Sequence, residues 1–238
     1  MPESISLLQQ ESTREGLPRP APAEDGMDMN YAWQVIALCA LGYLVGGVPV
    51  GWLLVHWKRF GLDVRRYGSG NIGTSNVYRH AGIDIAVFVG PLQFAQGFVP
   101  GLVTRLLGYP LWVAVLVGVI AVVGNAWPVY LRFNGGRGVA VATGAVAAVS
   151  LVGLIAMLVC YAYGAVRGRI ALGVLAAFIV LPPVALLADR PDGAYEAAGF
   201  VAMLLIVVLR RLEGLPNDVR TYGHTWRLAR DRLLFDQR

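Results

Sequence analysis

Charge is what this chain has least of. Only 15% of its 238 residues are charged, where a soluble globular domain carries about 25%. That deficit, with 56% hydrophobic residues in long runs, excludes an ordinary soluble domain and requires an integral membrane protein. Lysine is nearly absent: of twenty basic side chains only Lys58 is one, and the others are arginine. Histidine occurs three times, at His56, His80 and His224, too dispersed for a metal cluster. The two cysteines, Cys39 and Cys160, both lie in apolar runs, which argues against a disulfide framework or a thiolate metal site. No metal and no cofactor is expected. The net charge of +5 comes from arginines scattered through short loops rather than set in one stripe. Nucleic acid is therefore not an expected partner. Basic loops of this kind follow the positive-inside rule of membrane proteins.

Residues 1–30 are polar and acidic overall and lack the apolar centre of a signal peptide. They are expected to be a disordered tail on the non-cytoplasmic side. Residues 31–212 hold the apolar runs and form the transmembrane domain. Residues 213–238 form a basic cytoplasmic tail, either a surface amphipathic helix or a loosely ordered end. The runs fall at residues 31–57, 83–107, 111–131, 139–163, 170–187 and 194–209. The first contains Gly46-Gly47-Val48-Pro49, which predicts close packing and a kink. A single helix over 139–163 would leave the arginine-rich tail on the opposite side from Lys58, Arg59, Arg65 and Arg66. The positive-inside rule opposes that, and a split near Ser150 removes the conflict. The expected fold is an all-α polytopic membrane protein of about seven transmembrane helices with glycine-rich cytoplasmic loops.

Two loops carry the chemistry. Residues 58–79 include Gly68-Ser69-Gly70-Asn71-Ile72-Gly73-Thr74-Ser75-Asn76-Val77-Tyr78-Arg79. Glycines let backbone N–H groups converge on an anion. Ser69, Asn71, Thr74 and Asn76 add side-chain donors, and Arg79 adds a cationic fork suited to phosphate. The stretch also satisfies G-x-G-x-x-G, but without a strand before it or a βαβ unit around it the dinucleotide reading fails. The second loop is Arg132-Phe133-Asn134-Gly135-Gly136-Arg137-Gly138. A helix beginning near Val139 would direct its free N–H groups at an anion beside Arg137. Two crossings separate the loops, so both face one side and can build one site.

With Gly47-Val48-Pro49-Val50-Gly51, Pro128 and Phe133 to Ala140, these motifs resemble the acyl-phosphate:glycerol-3-phosphate acyltransferase family of bacteria, the PlsY type. The resemblance covers roughly residues 46–212. It implies a seven-helix enzyme of the bacterial plasma membrane, its active site cytoplasmic and its N-terminus outside. The expected substrates are acyl phosphate and glycerol 3-phosphate, with membrane lipids around them. The expected products are lysophosphatidic acid and inorganic phosphate, in the first acylation of phospholipid synthesis. Ser69, Arg79 and Arg137 are the implied catalytic residues. Gly68, Ser69, Gly70, Asn71, Thr74, Asn76, Arg79, Gly135, Gly136 and Arg137 are the implied phosphate-binding set. A substrate phosphate, rather than a side-chain base, would take the hydroxyl proton.

The chain departs from the family pattern at three points. Arg137 stands where lysine is usual, and Asn125 where histidine commonly precedes Pro128. The third motif, His-x-x-Asn followed by Arg-Leu, is replaced by Val208-Leu209-Arg210-Arg211-Leu212-Glu213. Arg210 could substitute there as a phosphate cation. A paralogue with another acceptor or no activity is the alternative enzyme-class reading. A small-anion or lipid transporter is the other, though no internal repeat supports it.

Overall fold

The computed structural model describes residues 28–188 and 191–213. The two tails expected at residues 1–30 and 213–238 therefore lie almost wholly outside the described residues. Among those residues every regular element is helical. They are α1 (Met29–Gly47), α2 (Val50–Lys58), α3 (Thr74–Ala81), α4 (Ile83–Leu106), α5 (Leu111–Ala126), α6 (Val139–Val149), α7 (Leu151–Val166), α8 (Ile170–Leu187) and α9 (Gly193–Leu212), with 3₁₀ turns at Val64–Arg66 and Val129–Leu131.

Among the described residues five stretches are long and apolar enough to cross a membrane: Met29–Lys58, Ile83–Leu106, Leu111–Leu131, Ile170–Leu187 and Gly193–Leu212. The remaining apolar run is split, as the charge pattern required, at Ser150. That residue is extended and its Oγ accepts from Gly153 N–H at 3.2 Å, capping α7. The resulting helices have 11 and 16 residues. At 1.5 Å per residue they are about 16 and 24 Å long, each shorter than a hydrocarbon core of roughly 30 Å.

The first run is two helices rather than one. It starts at Met29, two residues before the expected boundary, because the Asp28 carboxylate accepts from Asn30 N–H at 3.2 Å. It breaks at Val48–Pro49, since proline supplies no N–H to continue the ladder. The break leaves Val45 O and Val48 O with only short-range backbone partners, the N–H groups of Val48 at 3.3 Å and Val50 at 2.8 Å. Gln96 of α4 takes both carbonyls: its Nε2 donates to Val45 O and Val48 O, both at 2.7 Å. Gln96→Leu is expected to lower stability by about 0.5–1.5 kcal/mol, the net worth of a hydrogen bond to carbonyls that each keep a backbone partner. A melting curve in detergent checks this.

Helix α6 lies against α4 and α5, α1 against α5, and α8 between α7 and α9. The largest buried cluster joins α5, α6, α8 and α9 through small residues such as Ala121, Ala142 and Ala145, filled out by Phe178 and Phe200. A second cluster, with Val55, Val64, Ile72, Val77, Ile85, Val89 and Leu131, lies directly beneath the first glycine loop. That packing gives the loops a rigid floor.

Candidate active site

The first loop is organised from inside by Asn76. Its side chain is buried, and Nδ2 donates to Val64 O at 3.1 Å, Tyr67 O at 3.1 Å and Asn71 O at 2.8 Å. Its Oδ1 accepts from Ser69 N–H at 3.2 Å. An asparagine has two amide hydrogens, so three carbonyls share them and the side chain is fully committed to the loop. Asn76 was expected among the phosphate ligands; the structure makes it the pin that shapes the loop. Asn76→Asp should destabilise more than Asn76→Ala, because a carboxylate would face three carbonyls without a donor. Thermal melting of the two variants decides this.

Other local devices complete the shape. Gly68 and Gly70 have φ of 54° and 69°, which ordinary side chains rarely adopt. Asn71 Oδ1 accepts from Gly73 N–H at 2.6 Å. Asp63 accepts from Arg65 N–H at 3.1 Å and pairs with its guanidinium at 2.8 Å. Those Arg65 bonds hold the Asp63 carboxyl below its ordinary value. A lowered carboxylate pKa stabilises the turn at pH above about 4, and this contribution is lost as pH falls through the folded-state value.

The polar loop was expected to run unbroken to Arg79. Instead its last third is helix α3, entered from Gly73 and ended at Gly82 with φ of 102°. The short helix holds because Asn76, Val77 and Ala81 are buried on one side while Ser75, Tyr78 and Arg79 are exposed on the other. Thr74 thus sits at the helix start, its Oγ1 donating to buried Gln93 Oε1 at 3.4 Å. Arg79 lies in the last turn, one turn beyond Ser75 on the same exposed face.

The second loop is seated on the end of α5. Gly136 N–H donates to Asn125 O at 2.8 Å. A Cβ at Gly135 would come within 2.2 Å of Asn125 O, and one at Gly136 within 2.5 Å of Asn125 Oδ1. Asn125 is thus the buried seat of this loop rather than a group facing out of it, and its Nδ2 has no hydrogen-bond partner. Helix α6 begins at Val139, as expected, after Gly138 turns the chain with φ of 76°. Arg137, partly buried, lies two residues before that start.

Ile72 joins the loops. It is fully buried, a Cβ at Gly136 would lie 3.6 Å from its side chain, and one at Gly51 would stand 2.0 Å from its carbonyl oxygen. The Gly47–Gly51, first-loop and second-loop motifs therefore meet at one residue. Arg210 is brought to the same place, but not as a phosphate cation. Its Nε and Nη2 donate to Gly136 O and Gly135 O, both at 3.0 Å. Sequence reasoning missed Gln93, Gln96, Trp127 and Glu213. The two glutamines, three apart in an otherwise apolar span, were the available signal, since polar side chains at membrane depth mark polar partners. Among the described residues no group of His, Cys, Asp and Glu side chains is arranged to hold a metal ion.

Comparison with known proteins gives the family. The family model described as glycerol-3-phosphate acyltransferase matches residues 36–216. Glycerol-3-phosphate acyltransferase 5 of Dehalococcoides mccartyi is 38% identical over 209 residues, 85% of this chain and 86% of that protein. Glycerol-3-phosphate acyltransferase of Myxococcus xanthus is 43% identical over 175 residues, 73% of this chain and 89% of that protein. Among solved structures, the glycerol 3-phosphate form of PlsY (YgiH), an integral membrane glycerol 3-phosphate acyltransferase, is similar with a TM-score of 0.68. It is 28% identical, with 80% of this chain and 94% of that one covered. The lysophosphatidic acid form of the same enzyme gives a TM-score of 0.66 at 28% identity, covering 82% and 98%.

Proposed function

The chain belongs to the glycerol-3-phosphate acyltransferase family, and from that premise we propose that it moves an acyl group from acyl phosphate to the 1-hydroxyl of glycerol 3-phosphate. The observation that carries the reading is the junction of two glycine loops at Ile72, each leading into a helix N-terminus. Helix N-termini and glycine N–H groups favour anions, and this reaction brings two of them together. The site faces the cytoplasm of a bacterial plasma membrane, where glycerol 3-phosphate arrives from water and the acyl chain stays in lipid.

In the reaction the 1-hydroxyl oxygen attacks the acyl carbonyl carbon. The new ester C–O bond forms as the bond from that carbon to the phosphate oxygen breaks. Inorganic phosphate leaves, and the hydroxyl proton passes to a substrate phosphate. Arg79 and Arg137 offset the repulsion between the two phosphates and the charge that builds on the leaving group. Ser69, Thr74 and the N–H groups of Gly68, Asn71 and Arg137 shape the phosphate cradle, Gly70, Gly135 and Gly136 turn its backbone, and Asn76 and Asn125 hold the loops that form it.

The donor is the part to test. Membranes carrying the chain are given labelled glycerol 3-phosphate with either an acyl phosphate or an acyl thioester. Lysophosphatidic acid should form from the acyl phosphate alone; equal product from the thioester would overturn the assignment of the donor.

A further inference from the structure

Arg210 lies in the last turn of α9, in a chain whose third motif lacks the histidine of the family it resembles. Its side chain is only 9% exposed and is held on three sides. Two nitrogens donate to the carbonyls of Gly135 and Gly136, each at 3.0 Å. The third, Nη1, pairs with the Glu213 carboxylate, whose other oxygen accepts from Trp127 Nε1 at 3.3 Å. The guanidinium also lies 5.7 Å from the centroid of the Trp127 ring, within cation–π range.

This grip fixes an orientation. A trans peptide is planar, so its C=O and N–H point in opposite directions, and no cis bond interrupts the described chain. Drawing Gly135 O and Gly136 O toward Arg210 turns the N–H groups of Gly136 and Arg137 away from it. The first of these reaches Asn125 O at 2.8 Å. The second leads straight into the start of α6 at Val139. The second loop is thus clamped between α9, which holds its carbonyls, and α5, which receives its N–H.

We propose that Arg210 is a positioning residue for acyl transfer: with Glu213 and Trp127 it pins the Gly135–Gly136 peptide against α5 and orients the N–H of the Gly136–Arg137 peptide toward the substrate phosphate. This role rests on the acyl-transfer reading above.

The test measures KM and kcat for glycerol 3-phosphate at saturating acyl phosphate in the purified full chain. Arg210→Gln is expected to raise KM about tenfold. A merely structural loss would lower the active fraction, hence kcat, and leave KM unchanged. A double-mutant cycle locates the action. In a Gly136→Ala background, where the added Cβ meets Asn125 Oδ1 and displaces the loop, the further rise from Arg210→Gln should be less than about twofold. In an Arg79→Lys background it should remain about tenfold. Unchanged KM, or the full effect in both backgrounds, would overturn the role. Should Arg210→Gln lose its melting transition, Glu213→Gln carries the same cycle with an expected threefold rise, roughly. An inactive wild type would overturn the acyl-transfer reading itself, whereas an active wild type with an unaffected Arg210→Gln overturns this role alone.

Discussion

Replacing Arg79 by alanine is expected to lower kcat/KM at least about a thousandfold, roughly 4 kcal/mol of transition-state stabilisation. The side chain is exposed on the outer face of α3, and the buried residues of that helix are Asn76, Val77 and Ala81. Truncation therefore removes a cation without removing packing, and the melting temperature should stay within a degree or two, about the noise expected for surface changes. Arg79→Lys should recover part of the loss, because it keeps the charge but not the planar two-pronged fork. Steady-state kinetics on purified variants, paired with melting curves, separates the two effects.

The second large effect is structural and comes from Gly97 and Gly144. A Cβ at Gly97 would stand 1.8 Å from Val141 O, and one at Gly144 would stand 1.9 Å from Phe94 O. Both obstructing atoms are backbone, so α4 and α6 can admit a side chain only by moving apart. Small residues at such crossings let membrane helices approach closely and pack by dispersion alone. Gly97→Val or Gly144→Val should therefore cost about 3 kcal/mol or more, at the upper end of overpacking penalties. The reach extends to the site, because α6 begins directly after the second glycine loop. Size-exclusion profiles and melting in detergent would show loss of the folded species, and activity should fall with it.

The legible parts of the sequence were those governed by one local rule. Long apolar runs gave the spans, Pro49 gave the break, and arginines placed by side gave the split at Ser150. Glycine and hydroxyl residues in sequence gave the two loops and the helix start at Val139. What stayed hidden depends on which way a polar side chain points. Asn76 looked like a ligand because its donors suit phosphate, yet those donors are used on Val64, Tyr67 and Asn71. Arg210 looked like a spare cation, yet it is held by carbonyls some 75 residues away in sequence. Helix α3 was hidden because its apolar face is only two or three residues wide and its composition reads as loop. Its floor is tertiary: Val55, Ile85 and Val89 come from helices on either side.

The central claim is that this chain, by itself, joins acyl phosphate to glycerol 3-phosphate at the paired glycine loops. Purified wild-type protein supplied with only those two substrates tests it most directly. The account predicts lysophosphatidic acid and inorganic phosphate in equal amounts, with the rate proportional to protein. Glycerol 3-phosphate left unacylated at saturating concentrations of both substrates, by protein that melts cooperatively, would contradict it.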